Sequence, residues 1–335
     1  MELLPVFYPN SSDQDFINFW TGENINTAWA KLHQARYLAG VVAGGELSEG
    51  GEVCYIMAWE NPEVIRGVNA FALGVKLLNP NATISTIVVN TWGNAFTELK
   101  AAQFLDNRGC EMIAQHVDHS EPQEVFASLG KFSIGSNSDT RAFLGEEVLT
   151  SPSFLWENMY PEIVQMAVNN ELGNKTILKS FYENTVHLSS LSGFVKEETR
   201  QLLAEEESNL MNAEEDEYIF CGPIYDTSST IRINTSECAS LKDLGTIDWY
   251  VEGIQILGDF TPQYPDSENN FLPSELVIFS WILVGIFLMF GIGFGIWTYL
   301  NRKSSIIMFA QPFFLYLVIL GLIDFLFLLC LFCFD

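Results

Sequence analysis

The sequence predicts an α/β fold built on a parallel, doubly wound sheet, followed by two membrane-spanning α-helices. Three observations carry that prediction. Strand and helix patterns alternate from about residue 50 to residue 135, the signature of a parallel sheet covered on both faces. Leu276 to Leu300 contains no charged residue, a length suited to crossing about 30 Å of hydrocarbon. A second apolar run extends from about Ile306 to Phe334, broken only by Pro312 and one acid, Asp324.

The elements follow in order. Glu52 to Ala58 is short and apolar after a double-glycine turn and predicts a buried strand. Pro62 to Leu78 has apolar residues at helical spacing (Val64, Ile65, Val68, Phe71, Ala72, Val75), a first-turn proline and an Asn79-Pro80 stop. A strand at Ile84 to Val89, a helix at Ala95 to Asn107 and a stop at Arg108-Gly109 follow. Then come a strand at Glu111 to Gln115, a helix at Pro122 to Leu129 and a strand at Phe132 to Gly135. Beyond these, Ser153 to Asn170 predicts a helix, Thr176 to Tyr182 an extended segment and Glu197 to Asn212 a helix. Tyr218 to Cys221 predicts a strand, and Tyr225 to about Pro273 a polar, turn-rich connection towards the membrane. The acidic runs Glu205-Glu206-Glu207 and Glu214 to Glu217 predict a solvated helix face and its exit; no turn glycine makes them a calcium loop.

Charge sets the surroundings. With 42 acidic and 16 basic residues and a net charge of −26, the chain lacks the cations that grip a phosphate backbone, which excludes nucleic acid as a partner. Arg302 and Lys303, between the two apolar runs, place that short connection in the cytoplasm. The first 275 residues then face outward, giving a multi-pass plasma-membrane protein with the lipid bilayer as a partner. Four sequons, at Asn10, Asn81, Asn174 and Asn234, precede the first span and are the expected glycosylation sites. In an oxidising exterior Cys221 and Cys238, which bracket a short polar loop, form the expected disulfide. Cys54 and Cys110 are either a second pair or two buried thiols in neighbouring strands. Met1 to Pro5 lacks the basic and apolar regions of an export signal, so the first span acts as a signal-anchor or residues precede Met1.

Ligands of open parallel sheets bind beyond the carboxyl ends of the strands. The residues there are Trp59 and Glu60; Asn90, Thr91 and Trp92; His116, Asp118 and His119; and Asn137, Ser138 and Asp139. Aromatic rings and carboxylates converging on one edge suit a flat ring or a sugar, whose hydroxyls the carboxylates accept. Trp92, Asp118 and Asp139 are the candidate ligand-binding residues from this set. The chain has no nucleophile elbow, P-loop or dinucleotide fingerprint, so neither an enzyme nor a cofactor is expected. His116-Val117-Asp118-His119 lacks the i, i+4 pairing of a zinc helix and has no cysteine at ligand spacing, so no metal centre is expected there.

Two resemblances extend this reading. Tyr37-Leu38-Ala39-Gly40, Asn61 to Phe71, Gln115 to Asp118, Asn137-Ser138-Asp139 and Phe220-Cys221-Gly222-Pro223 together resemble the basic membrane protein (PnrA-like) family, substrate-binding lipoproteins of nucleoside ABC transporters. Tyr299 to Ile307, with Ala310-Gln311-Pro312, is similar to the junction of the first two helices of class C G-protein-coupled receptors, the metabotropic glutamate and GABA type B kind. The first resemblance implies a type I periplasmic-binding-protein-like fold. It also aligns Glu183 with the family's sugar-binding aspartate and matches Trp156 or Phe154 to a ring-stacking aromatic. Together they imply a ligand-binding ectodomain at 6–230 with an incomplete first lobe, a juxtamembrane linker at 231–274, a helix at 275–300, a cytoplasmic loop at 301–305 and a helix at 306–334. The expected protein is a receptor truncated at both ends. Its outer domain closes on a small molecule, nucleoside-like or another metabolite, and the full-length form signals through a heterotrimeric G protein, with homodimerisation expected. The alternative is a membrane-tethered solute-binding protein without signalling.

Overall fold

The structure, a computed structural model, describes residues 27–171, 176–212, 218–262, 282, 285, 289 and 292–304. It falls into two compact units that divide after Pro262. In the first unit, six parallel strands stand in the order β12-β3-β2-β4-β5-β6. They are β2 (Glu52–Met57), β3 (Thr83–Val88), β4 (Met112–His116), β5 (Phe132–Ile134), β6 (Val148–Thr150) and β12 (Ile254–Asp259). Alternate residues of β2 enter different cores. Val53, Tyr55 and Met57 join one cluster, while Cys54 and Ile56 join another. Helices α3 (Ala95–Asn107) and α4 (Glu121–Ser128) cover the second cluster through Ala101, Leu105 and Phe126. The sheet is therefore buried on both faces, which is why its strands read as short apolar runs.

The first cluster is covered by α1 (Leu32–Glu46) and α2 (Pro62–Leu78). Asn61 caps α2 by accepting the Val64 N–H at 3.0 Å, and Pro62 sits in its first turn. Sequence patterning did not reveal α1, and its surroundings explain why. Nearly every residue from Leu32 to Gly44 is buried, because α2, α7 (Glu197–Asn212) and the strands β7 (Pro152–Phe154) and β9 (Val186–Leu188) all touch it. A helix enclosed on all sides shows no polar stripe. The α1–α2 backbones meet through glycine. A Cβ on Gly40 would stand 2.1 Å from the Phe71 carbonyl oxygen, and one on Gly74 2.1 Å from that of Tyr37.

A smaller group of strands carries the rest. β1 (Thr27–Ala30) pairs in parallel with β8 (Thr176–Lys179), and β7 pairs antiparallel with β9. The helix expected from Ser153 follows the short α5 (Arg141–Leu144) and starts later, as α6 (Trp156–Val168), because residues 152–154 are drawn into pairing with β9. Residues 218–220 form a 3₁₀ turn instead of the expected strand. Glu206 also departs from expectation. It is buried within an acidic run read as solvated, and accepts a 2.6 Å hydrogen bond from the Tyr37 hydroxyl.

The largest difference concerns the connection to the membrane. Residues expected to be linker form β10 (Ile224–Tyr225), β11 (Ile231–Ile233), α8 (Leu241–Gly245) and β12. β12 pairs with β3 at the sheet edge (Ile254 with Ile84, Ile256 with Thr86), so this segment belongs to the folded unit and not to a spacer. Its polar surface hid this: only Ile254 of β12 is buried. Cys221 is bonded to Cys238 and Cys54 to Cys110, with Cα separations of 4.0 and 5.8 Å. Of the sequons, Asn81 and Asn234 are exposed, while Asn10 and Asn174 lie outside the described residues.

The second unit is described only at 282, 285, 289 and 292–304, with 292–300 helical. The span expected at 306–334 lies outside the described residues. Among the described residues no helix is long and apolar enough to cross a membrane.

Candidate ligand-binding site

The carboxyl ends of β2 to β5 share one edge of the sheet, and their loops are tied together. Thr91 N–H donates to Ala58 O at 3.2 Å, and Asp118 N–H donates to Trp92 O at 2.8 Å. Asn90 and Asn137 end their strands in the left-handed region, with φ of 54° and 60°, a conformation asparagine tolerates better than most residues. These turns redirect the chain at the edge. Asn137 N–H then reaches Pro152 O at 2.9 Å, linking this edge to β7.

Beneath the edge lies a buried polar network that the sequence reading did not assign to the site. Arg36 of α1 donates to the Tyr55 hydroxyl (3.0 Å), the Gln115 carbonyl (3.1 Å) and the Ser136 hydroxyl (3.3 Å). His116 Nε2 lies 3.2 Å from Glu63 Oε1, and the Trp92 ring meets the His116 ring edge-on at 5.9 Å. Burial alone would raise the Glu63 carboxyl, but His116, Arg36 and Arg66 outweigh it and hold it at about 2. Burial and the Arg36 charge push His116 below its ordinary value. His116 Nδ1 and Gln115 Oε1 are buried with no hydrogen-bond partner among the described residues. The available signal was the charged and polar residues inside otherwise apolar motifs, above all Arg36 beside Tyr37-Leu38-Ala39-Gly40.

The five candidate ligand residues fall into separate groups. Trp92, partly buried, and Asp118, exposed, are brought together by the loop hydrogen bond above. Asp139 is exposed on the next loop, and its Oδ1 accepts the Arg141 N–H at 3.2 Å. Trp156 and Glu183 lie with the smaller strand group, where Leu155 N–H donates to Thr185 O at 2.8 Å. Trp156 stacks on Phe154 (4.5 Å) and on Tyr160 (5.2 Å), so its ring already has intramolecular partners. Glu183 binds its own turn, accepting from Ser180 N–H (2.6 Å) and Oγ–H (2.7 Å). Among the described residues no hydrogen bond, ion pair or ring contact joins Trp92 or Asp118 to Trp156 or Glu183.

Two sets of metal-ligand side chains cluster among the described residues. In Glu52–Cys54–Cys110 the disulfide consumes both sulfurs. The other, Glu98–His119–Glu121, lies at the first turns of α3 and α4 beside the Asp118 loop.

A sheet edge with an aromatic ring, carboxylates and a supporting polar network suits a solute-binding domain. The family model of the PnrA-like ABC transporter substrate-binding proteins matches residues 10–228. The chain belongs to this family. Its fold is accordingly periplasmic-binding-protein-like, and a non-enzymatic solute-binding role is the one the family carries. A Haloferax volcanii protein named as an ABC transporter glucose-binding protein is 28% identical over 222 residues, covering 66% of this chain and 56% of that protein. A purine-binding protein of Brucella abortus is 26% identical over 247 residues, covering 74% and 69%. Metabotropic glutamate receptor-like protein K of Dictyostelium discoideum is 26% identical over 307 residues, covering 85% of this chain and 42% of that one. The chain thus spans about half the length of the first and less than half of the receptor-like relative. A solved structure titled as a transcriptional activator of the comK gene from Bacillus halodurans shares the fold, with a TM-score of 0.52 and 23% identity over 58% of this chain and 68% of that one.

Proposed function

We propose that the chain is the outer, solute-binding part of a membrane receptor together with the start of its membrane anchor, and that its ligand is an uncharged nucleoside. The observation that carries the receptor reading is the extent of similarity to receptor-like protein K. A match to 85% of 335 residues leaves only about 50 unmatched, so a contiguous match runs past the start of the apolar stretch at Leu276. The described end of that stretch supports a lipid-facing helix: Ile292, Ile296 and Leu300 are all more than half exposed. Arg302 lies over the Tyr299 ring at 4.0 Å, an aromatic–cation pair suited to a membrane interface.

The nucleoside reading draws on the purine-binding relative and on charge. A net charge of −26 repels nucleotides and other anions, whereas a neutral base can stack on Trp92 and a ribose can donate to Asp118. Binding between the sheet edge and the Trp156–Glu183 group would favour a closed arrangement over an open one by its differential affinity for the two. In the full-length protein that shift would be the signal passed to a G protein.

Thermal unfolding of the chain in detergent micelles tests this with inosine, adenosine, glucose, and AMP as the anionic control. A nucleoside should raise the midpoint while AMP does not, and Asp118→Ala and Trp92→Ala should each weaken the effect at least about tenfold, the worth of one good polar or stacking contact. Trp156→Ala and Glu183→Ala measure the second group's share. An unchanged midpoint with every nucleoside, or a shift indifferent to both Trp92 and Asp118, would remove the reading. The name of the Haloferax relative, an ABC transporter glucose-binding protein, favours a second reading, a tethered carrier that delivers solute to a permease. Ligand-dependent nucleotide exchange on a G protein by the full-length product separates the two.

A further inference from the structure

We propose that Glu98, His119 and Glu121 form a binding site for one divalent first-row transition cation such as Zn2+ or Mn2+, at the paired N-termini of α3 and α4. One ligand atom from each of the three side chains lies within 4.8 Å of the others. His119 Nδ1 stands 3.3 Å from Glu98 Oε1. Ligands about 2.1 Å from a tetrahedral ion stand roughly 3.4 Å apart, so a small rotation of the half-exposed His119 closes the set. The sequence gives no hint of this, because Glu98 comes from a different element, more than twenty residues before His119.

The cluster differs from an ordinary surface ion pair in two respects. Glu98 is fully buried, and among the described residues its only ion-pair partner is His119, whose ring is 44% exposed. Glu98 does hold its own helix end: Oε1 accepts Asn94 N–H at 2.8 Å and Oε2 accepts His119 N–H at 3.3 Å. Each of those oxygens keeps a further lone pair. Independently, Glu121 Oε2 is buried with no hydrogen-bond partner among the described residues, and one oxygen of the Glu121 carboxylate lies within 4.8 Å of the Glu98 and His119 ligand atoms. With Glu98 buried and one Glu121 oxygen shielded from water, a cation between the two carboxylates would offset their mutual repulsion. One imidazole and two carboxylates suit a borderline ion better than Ca2+, which takes six or more oxygens.

Such an ion would clamp α3 to the loop after β4. That loop is already joined to Trp92 through Asp118 N–H, and Gln115 Nε2 donates to His119 O at 2.6 Å. The site stands whether or not the nucleoside reading holds.

The test uses the tag-free full chain in detergent micelles, stripped with chelator and dialysed against ZnCl2 or MnCl2. Elemental analysis should return one equivalent per chain. Thermal unfolding at a hundredfold excess over Kd should rise by roughly 5–10 °C. His119→Ala and Glu121→Gln alter partly exposed side chains and should each weaken binding at least about tenfold. Co2+ loaded into the wild-type chain should give the intense visible bands of a four- or five-coordinate ion, which His119→Ala abolishes. Retention of no ion, binding indifferent to both variants, or a weak six-coordinate Co2+ spectrum would overturn the proposal and leave Glu98–His119 as an ion pair only.

Discussion

Glu63 shows how much one side chain can report. Its folded-state value of about 2 against an ordinary 4.5 means that the ionised form favours the folded chain. That contribution is complete above about pH 4.5 and disappears as pH falls towards 2. Two and a half units correspond to on the order of 3 kcal/mol. Urea unfolding across pH 2–6 should therefore show a stability loss that is one proton steeper in the wild type than in Glu63→Gln. Equal slopes would mean that Glu63 is not ionised against His116, Arg36 and Arg66. Tyr37 makes the complementary case. Burial and the Glu206 hydrogen bond raise its hydroxyl far above the ordinary range, so it stays a donor at any physiological pH. Tyr37→Phe removes that donor from a buried carboxylate, which retains Tyr218 at 3.2 Å, and should cost about 1–3 kcal/mol in the same measurement.

At the scale of elements the α1–α2 crossing governs stability. Gly40 and Gly44 of α1 and Gly74 of α2 let the two backbones meet, with added Cβ atoms falling 2.1 to 2.4 Å from carbonyl oxygens. Backbone cannot yield as a side chain does. Gly40→Ala should cost at least about 2–3 kcal/mol despite alanine's better helix propensity, whereas Gly109→Ala, where no atom lies within 4 Å, meets only its positive φ. A Gly40→Ala chain with unchanged denaturant midpoint would show that the helices can separate. The Cys54–Cys110 bond closes a loop of 56 residues, worth about 4 kcal/mol by loop entropy, and Cys54→Ser should lower the midpoint accordingly.

For the whole molecule, the boundary of the folded unit is the decisive matter. Truncation after residue 230 removes β12 and exposes the β3 edge, so the shortened chain should aggregate or lose its cooperative transition. Truncation after Pro262 keeps β12 and should leave circular dichroism and two-state unfolding intact. If both truncations behave alike, β12 contributes nothing to the sheet. Protease applied to intact cells bears on the expected topology, since an outward-facing domain is cleaved and a cytoplasmic one is protected.

The sequence by itself determined the strands β2 to β5 and the helices α2 to α4. Their faces differ in polarity or their ends are marked by proline, asparagine and glycine, and such signals are local. It also determined which residues stand at the carboxyl edge, because strand ends fix that position. Only the tertiary structure decided that α1 is a buried helix, that β12 completes the sheet, and that Arg36, Glu63 and His116 support the edge from beneath. Each of those depends on partners distant in the chain. Burial on every side erases a helix's periodicity, an exposed edge strand has no apolar alternation, and the Arg36 network joins residues 19 to 100 positions apart. No window along the sequence contains both partners.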